Sequence, residues 1–163
     1  MKISKSPYLI AEMSANHCGS LKTALKLIQC AKKNGADAIK LQTFTANTMT
    51  IQSNKKYFKI KEGLWKGYNL WDLYKEAHTP LSWHKQLFLY GKKLGITVFS
   101  TPFDETAVDF LEKLKCSMYK VASFEMTDIP LIKKIASTHK PMIISVGMAN
   151  LYIEHFNFKR SNF

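Results

Sequence analysis

Five short apolar runs, separated by stretches with helical periodicity, constrain the fold of this chain more than any other feature. The runs fall at residues 8–13, 36–43, 96–100, 119–125 and 141–146, the fourth ending in a polar turn. Between them, apolar residues recur every three or four positions, as on the buried face of an amphipathic helix. Strands that alternate with helices in this way indicate a parallel α/β sheet, because parallel neighbours need a crossover between them.

The predicted helices carry recognisable start signals. Ser20, Asp104 and Asp128 each precede a helical pattern and are residue types that cap helix N-termini. Thr79 followed by Pro80 gives a further start, with a capping residue before proline at the first helical position. Residues 44–68 lack clear periodicity, which is typical of a lid, a binding loop or a partly disordered connection.

Polar side chains recur where the predicted strands end. The residues concerned are Glu12, Lys40, Gln42, Thr101, Lys120, Ser123 and Ser145. A doubly wound sheet binds ligands at one switch crevice, whereas a TIM barrel uses the C-terminal ends of all its strands. Polar groups on all five strands therefore favour a TIM-type (β/α)8 barrel, here incomplete, with about five β/α units.

Lys40 and Lys120 lie within otherwise apolar strands and are predicted to point toward the same interior. Burying an ammonium group is costly unless an anion meets it, and two such groups repel each other. A shared substrate anion would explain both, with hydroxyls of Thr101, Ser123 and Ser145 completing a phosphate or carboxylate cradle. The alternatives are that the lysines pair with neighbouring acids, or that Lys120 extends from a strand edge into water.

Two carboxylates are candidates for proton transfer. Glu12 ends the first strand among apolar residues, and burial would raise its pKa into a range that suits general acid–base catalysis. Pairing with Lys40 is the alternative, and one residue can do both. Glu125 has the same two interpretations, with exposure more expected. Asn16 and His17, in the turn after the first strand, either hydrogen-bond a substrate or stabilise that turn.

Composition excludes several classes of function. The net charge is +12, but the lysines are scattered, mostly near predicted helix ends, and no nucleic-acid-binding motif accompanies them, so we expect no nucleic-acid partner. The three cysteines form no Cys-x-x-Cys pair and the histidines show no ligand spacing, so neither disulfides nor a self-contained metal site is expected. No apolar run is long enough for a membrane helix and no signal peptide is present, which predicts a cytoplasmic protein without a membrane partner.

Five motifs in order resemble the sialic acid synthase (NeuB) family, and within it the pseudaminic acid synthase branch most. They are Leu-Ile-Ala-Glu to Asn-His-x-Gly-Ser at 9–20, Gly-Ala-Asp-Ala-Ile-Lys-x-Gln-Thr at 35–43, Ser-Thr-Pro-Phe at 100–103, Tyr-Lys-x-Ala-Ser-x-Glu at 119–125, and Lys-Pro to Gly-Met at 140–148. The family condenses phosphoenolpyruvate with an amino sugar to give nonulosonic acids. The resemblance implies a TIM-barrel catalytic domain, normally followed by an antifreeze-like domain, in a homodimer.

The resemblance also implies roles for individual residues. Phosphoenolpyruvate would be held by Lys40, Thr101, Lys120, Ser123 and Ser145. Glu12 and Glu125 would be catalytic, while Gln42, Asn16 and His17 would contact the sugar. A divalent metal, Mn²⁺ or Mg²⁺, would polarise the sugar aldehyde, but the family's two histidine ligands come from later strands and are not in this sequence.

We therefore expect residues 1–149 to be the N-terminal part of the catalytic barrel, and 150–163 a divergent tail, with the remaining barrel half and the antifreeze-like domain absent. The expected reaction joins phosphoenolpyruvate to a 2,4-diacetamido-2,4,6-trideoxy hexose, giving pseudaminic acid and phosphate. An unclosed barrel exposes sheet edges, so a truncated chain is expected to have little or no activity. Alternatives are an N-acetylneuraminate or legionaminate synthase, a Schiff-base aldolase using Lys120, and a non-enzymatic basic interaction fragment.

Overall fold

The secondary structure of the chain alternates as its sequence predicts. A computed structural model describes residues 6–148, so the predicted tail at 150–163 lies outside the described residues. The strands are β1 (Ile10–Glu12), β2 (Ala38–Thr43), β3 (Thr97–Pro102), β4 (Tyr119–Val121) and β5 (Met142–Ile144). The helices are α1 (Leu21–Lys33), α2 (Ala46–Met49), α3 (Leu70–Ala77), α4 (Leu81–Leu94), α5 (Glu105–Lys113) and α6 (Ile129–Ala136).

The five strands form one parallel sheet in the order β1-β2-β3-β4-β5. Each strand lies beside its predecessor, and crossovers between parallel strands are almost always right-handed, so the helices collect on one face. A doubly wound sheet would instead reverse its strand order at a switch point. The topology confirms an incomplete TIM-type barrel: the described residues form five parallel strands and the helical connections between them, with a helix-covered outer face and a concave inner face.

Side-chain caps fix the starts of several helices as predicted. Ser20 Oγ accepts a hydrogen bond from the Thr23 amide at 3.2 Å, and Asp128 Oδ1 accepts one from the Leu131 amide at 3.1 Å. Asp104 caps α5 in the same way. The start predicted at Thr79 is wrong: Pro80 occupies the cap position of α4 without a side-chain bond.

The core lies between the sheet and the helices. One apolar cluster packs α1 and α4 against β1 to β3, and its buried members include Met13, Ile28, Leu41 and Leu87. A second packs α5 and α6 against β3 to β5, and includes Val108, Leu111, Tyr119, Leu131 and Ile135. Each fully buried aliphatic side chain contributes about 2 kcal/mol. These two clusters hold the strand ends in place.

The long connection after β2 contains more structure than its sequence indicates. It includes α2 and a 3-10 turn at Lys56–Phe58, and Lys59 forms an antiparallel bridge with Asn69. The Trp71 indole N–H donates to Asn47 Oδ1 at 2.7 Å, which ties α3 to α2. The connection is therefore a folded excursion beside the C-terminal ends of the strands.

Candidate active site

The strand register places the predicted polar residues on one face of the sheet. Glu12 pairs with Lys40, and Gln42 with Thr101. Because Ser100 pairs with Tyr119, the next pair in register joins Thr101 and Lys120. Residues two apart on a strand share a face, so these side chains all belong to the concave face near the C-terminal ends of the strands.

Lys40 is held by two neighbours on the concave face. Its Nζ lies 2.7 Å from Glu12 Oε2 and donates to Thr101 Oγ1 at 3.1 Å. The Lys40 side chain is only 12% exposed, whereas that of Glu12 is 49% exposed. Glu12 is therefore not the buried carboxylate considered from the sequence; it is the partner of Lys40, the alternative interpretation.

Lys120 lies in a different environment from Lys40. Its Nζ donates to the carbonyl of Val121, and within residues 6–148 no carboxylate forms an ion pair with it. Burial lowers the pKa of Lys120, and the positive charge of Lys40 lowers it further, against weaker opposing effects of Glu12 and Glu125. The charged form of Lys120 is thus disfavoured until an anion approaches.

The turns after β4 and β5 bring the hydroxyl candidates together. The Ser145 amide donates to the Val121 carbonyl at 3.1 Å, which fixes Ser145 beside the end of β4. Ser123 Oγ lies 3.5 Å from the position that a Cβ atom would take at Gly147. Both serines are half-buried and lie next to the strand that carries Lys120.

Glu125 follows in a 3-10 turn at Phe124–Thr127. Its Oε2 atom is buried and has no hydrogen-bond partner within the described part of the chain. Burial raises the pKa of Glu125, against a smaller lowering by a hydrogen bond with its own backbone. The charge of Asp128 raises the pKa further, while that of Lys120 lowers it. Of the two candidate carboxylates, Glu125 is the one with the environment of a general acid or base.

The sugar-binding candidates have three different placements. Gln42 Oε1 accepts a hydrogen bond from Ser14 Oγ at 3.3 Å on the concave side, and Asn16 is exposed in the turn after β1. His17 is only 1% exposed and lies edge-on against Trp83 of α4.

Both ring nitrogens of His17 are also engaged. Nδ1 accepts from the Gly19 amide at 3.2 Å, and Nε2 lies 3.3 Å from the Thr79 hydroxyl. Burial lowers the pKa of His17, so the ring is neutral. These contacts argue against the direct sugar contact predicted for His17 and indicate that the ring holds the turn that presents Asn16.

A buried polar chain on the opposite face was not found from the sequence. Thr43 Oγ1 lies 2.6 Å from Ser100 Oγ and 2.9 Å from His84 Nε2, and His84 Nδ1 lies 3.1 Å from the Pro80 carbonyl. Burial lowers the pKa of His84 to about 4, so His84 is neutral, donates from Nδ1 and accepts at Nε2. Alternation alone would have shown that Thr43 and Ser100 lie on the helix-covered face.

Residues 6–148 lack both a metal-ligand cluster and a membrane-spanning helix. Those residues contain no group of three or more histidine, cysteine, aspartate or glutamate side chains that could hold a metal ion. No helix in that range is long and apolar enough to cross a membrane.

Comparison with known proteins identifies relatives of this chain. The chain is 47% identical to pseudaminic acid synthase of Helicobacter pylori, over 88% of its own length and 42% of that protein. It is 39% identical to N,N'-diacetyllegionaminic acid synthase of Campylobacter jejuni, over 90% of its length and 44% of that protein. The chain thus spans less than half the length of these relatives.

A solved structure shows the same fold. The N-acetylneuraminic acid synthetase of Leptospira borgpetersenii superposes with a TM-score of 0.81 over 99% of this chain and 55% of the other, at 24% identity. Residues 27–156 match the NeuB family. The chain therefore belongs to the NeuB family.

Proposed function

We propose that this chain carries the phosphoenolpyruvate-binding part of a nonulosonic acid synthase. The reaction would join phosphoenolpyruvate to a 2,4-diacetamido-2,4,6-trideoxy hexose, giving pseudaminic acid and phosphate. The higher identity to the pseudaminic acid synthase than to the legionaminic acid synthase favours this product over legionaminate or N-acetylneuraminate.

The observation that carries the proposal is the unequal pairing of two lysines on one concave face. Lys40 has a carboxylate partner in Glu12, but Lys120 has none within the described residues. Phosphoenolpyruvate carries both a carboxylate and a phosphate, so it would supply the missing negative charge. Thr101, Ser123 and Ser145 border the same region and would donate hydroxyl hydrogen bonds to its oxygens.

The remaining groups suit the proton transfers of such a condensation. C3 of phosphoenolpyruvate forms a bond to the aldehyde carbon of the open-chain sugar, and the aldehyde oxygen takes up a proton. Water then adds at C2 and phosphate leaves. Glu125 has the raised pKa expected of a proton carrier, and Glu12 pairs with Lys40 and would orient it. Gln42 and the exposed Asn16 would contact the sugar.

A divalent metal ion and a second subunit belong to the expectations drawn from the family. The described residues do not by themselves provide a metal site, since no ligand cluster occurs among residues 6–148. We therefore assign no step to a metal. Mn²⁺ or Mg²⁺ and a homodimer stay predictions for the longer proteins that this chain resembles.

Calorimetric titration of the 163-residue chain with phosphoenolpyruvate tests the proposal. Lys120→Met is expected to weaken binding about tenfold or more, because a charge-assisted hydrogen bond to the anion is lost. Lys26→Met, an exposed lysine of α1, is the matched control and should bind like the parent chain. Equal affinities for the two variants would overturn the proposed cradle.

The lowered pKa of Lys120 favours one second candidate, a Schiff-base aldolase. A neutral amine attacks a carbonyl carbon, and the resulting imine is reduced by borohydride to a stable adduct. Mass spectrometry after treatment with pyruvate and borohydride distinguishes the two functions. An adduct on Lys120 would favour the aldolase, and its absence would remove that alternative.

A further inference from the structure

A second concave surface lies at the other end of β3, between α4 and α5. Its cavity has a volume of about 750 Å³. The floor is apolar and includes Phe88, Leu89, Val98 and Leu114. Leu89 is exposed, although it belongs to a helix whose other face is packed on the core. We call this surface the basic groove, for the lysines that border it.

An aromatic contact between α4 and α5 closes one end of the groove. Near the C-terminal end of β3, His84 of α4 contacts Phe110 of α5 edge-on, with ring centroids 5.3 Å apart. Further along, α4 lies tightly on the sheet: a Cβ atom at Gly91 would lie 2.2 Å from Val98 Cγ2. The cavity lies beyond this contact, between the later turns of the two helices. All of its walls come from elements that the structure describes.

Four lysines border the groove: Lys85, Lys92, Lys113 and Lys115. None of them forms an ion pair within residues 6–148, and no acidic side chain lines the cavity. The helix dipole gives an ordinary reason for lysine in the last turns of α4 and α5, where Lys92 and Lys113 lie. It gives none for Lys85, in the second turn of α4, or for Lys115, beyond the end of α5.

Lys115 is unusual in its backbone as well. Its φ angle is 57°, in the left-handed region that favours glycine, and its amide donates to the Glu112 carbonyl at 2.9 Å. Glycine, which is common in this conformation just after a helix, would therefore cost less conformational free energy here than lysine. A lysine at this position adds a fourth cation to the rim.

We propose that the basic groove binds a small amphipathic anion, an aromatic or alkyl body that carries a phosphate or carboxylate group. The volume lies in the range of small-molecule sites, the floor suits an apolar body, and the unpaired lysines suit its charge. Thr97 at this end of β3 and Thr101 at the other are about 13 Å apart along the strand. The groove is therefore separate from the strand-end site, and the inference does not depend on the proposed function.

Amide chemical-shift titration of the 163-residue chain with 1-naphthyl phosphate tests this inference. We expect saturable shifts at Leu89, Lys92 and Lys115, with a Kd at least tenfold lower than that of inorganic phosphate or of neutral 1-naphthol. The double variant Lys92→Gln/Lys115→Gln should weaken binding about five- to tenfold, because each exposed charge pair makes a modest contribution.

Lys26→Gln/Lys33→Gln removes the same charge from α1 and serves as the control, which should bind within twofold of the parent chain. All the replaced lysines are exposed, so circular dichroism should show every variant to be as helical as the parent. Shifts confined to the strand ends, or equal losses in both double variants, would overturn the proposal. Tighter binding of a short peptide rich in aspartate and phenylalanine would also overturn it, in favour of a protein partner.

Discussion

At the C-terminal ends of the strands, the two faces of the sheet differ in whether their polar side chains all have bonding partners. On the helix-covered face, Ser100, Thr43 and His84 form a chain in which each side chain has a hydrogen-bond partner. His84 Nδ1 donates to the carbonyl of Pro80, the cap residue of α4. On the concave face, Lys120 has no carboxylate partner within the described residues. There too, Glu125 Oε2 is buried without a hydrogen-bond partner. Buried polar groups with hydrogen-bond partners stabilise the fold, whereas buried polar groups without partners indicate where a ligand binds.

Acid should first disrupt the hydrogen-bonded chain on the helix-covered face, and this is the largest effect that we expect. The unfolded chain takes up a proton on His84 near the ordinary pKa of 6.5, but the folded chain does so only near 4. Between these values the unfolded state binds more protons, so the free energy of unfolding falls as pH falls, by up to about 3 kcal/mol. Urea titrations at pH 7, 6, 5 and 4 would measure this loss.

His84→Gln provides the control for that titration, because glutamine cannot titrate. The variant should lose most of the slope between pH 6.5 and 4. A residual slope of the same sign is expected from His17, whose pKa burial also lowers. An unchanged slope in His84→Gln would show that the buried chain is not what acid disrupts.

The same substitution on two neighbouring strands compares the faces directly. Thr43→Val leaves His84 and Ser100 without their shared hydroxyl, and should lower the free energy of unfolding by about 2 kcal/mol. Thr101→Val removes one acceptor of Lys40, which keeps Glu12, and should cost less than about 1 kcal/mol. Both threonines are buried, so a difference in stability between the two variants reflects the face of the sheet and not the extent of burial. Urea denaturation of both variants measures it.

Phosphoenolpyruvate binding should show the reverse order. Thr101→Val is expected to weaken it, whereas Thr43→Val should leave the affinity of the folded fraction nearly unchanged. Equal stability losses in the two variants would mean that the faces do not differ in the way described.

The sequence was sufficient to predict which strand residues share the concave face, because that inference depended on local rules. Period two placed Lys40 and Gln42 together, and their position near the C-terminal ends of strands identified Thr101 and Lys120. The register then joined them on one face, as expected of parallel neighbours.

Non-local packing decided the rest. His84 lies 41 residues from Thr43, and nothing in either segment specifies that they meet. The two glutamates were also assigned in the wrong order of burial: Glu12 extends beside Lys40 and is half exposed, while the turn after β4 encloses Glu125. A sequence gives the type of a side chain and its strand position, but burial depends on which other segments cover it.

Lys120→Met should sharpen the comparison by separating stability from binding. The pKa of Lys120 is lowered in the fold, so its charge costs stability at every pH below that lowered value, and the cost fades as pH rises toward 10.5. Removing the charge at pH 7 should raise the Tm by about 2 to 4 °C. Phosphoenolpyruvate should raise the Tm of the variant less than it raises that of the parent chain. Differential scanning fluorimetry with and without the ligand measures both effects, and a lower Tm with an intact ligand response would contradict them.

Glu125→Gln is expected to change stability least, and it is the most specific test of the concave face. Because the pKa of Glu125 is raised in the fold, the folded state holds its proton more tightly than the unfolded state, and stability should rise as pH falls through that range. Glutamine resembles the protonated acid, so the variant should be more stable than the parent at pH 7 by less than about 1 kcal/mol, since solvent screens a partly exposed group. The difference should shrink between pH 7 and pH 4, because the parent carboxyl takes up a proton as pH falls. A variant that is less stable at both pH values would mean that the carboxylate is satisfied in the fold, and the contrast between the two faces would then depend on Lys120 alone.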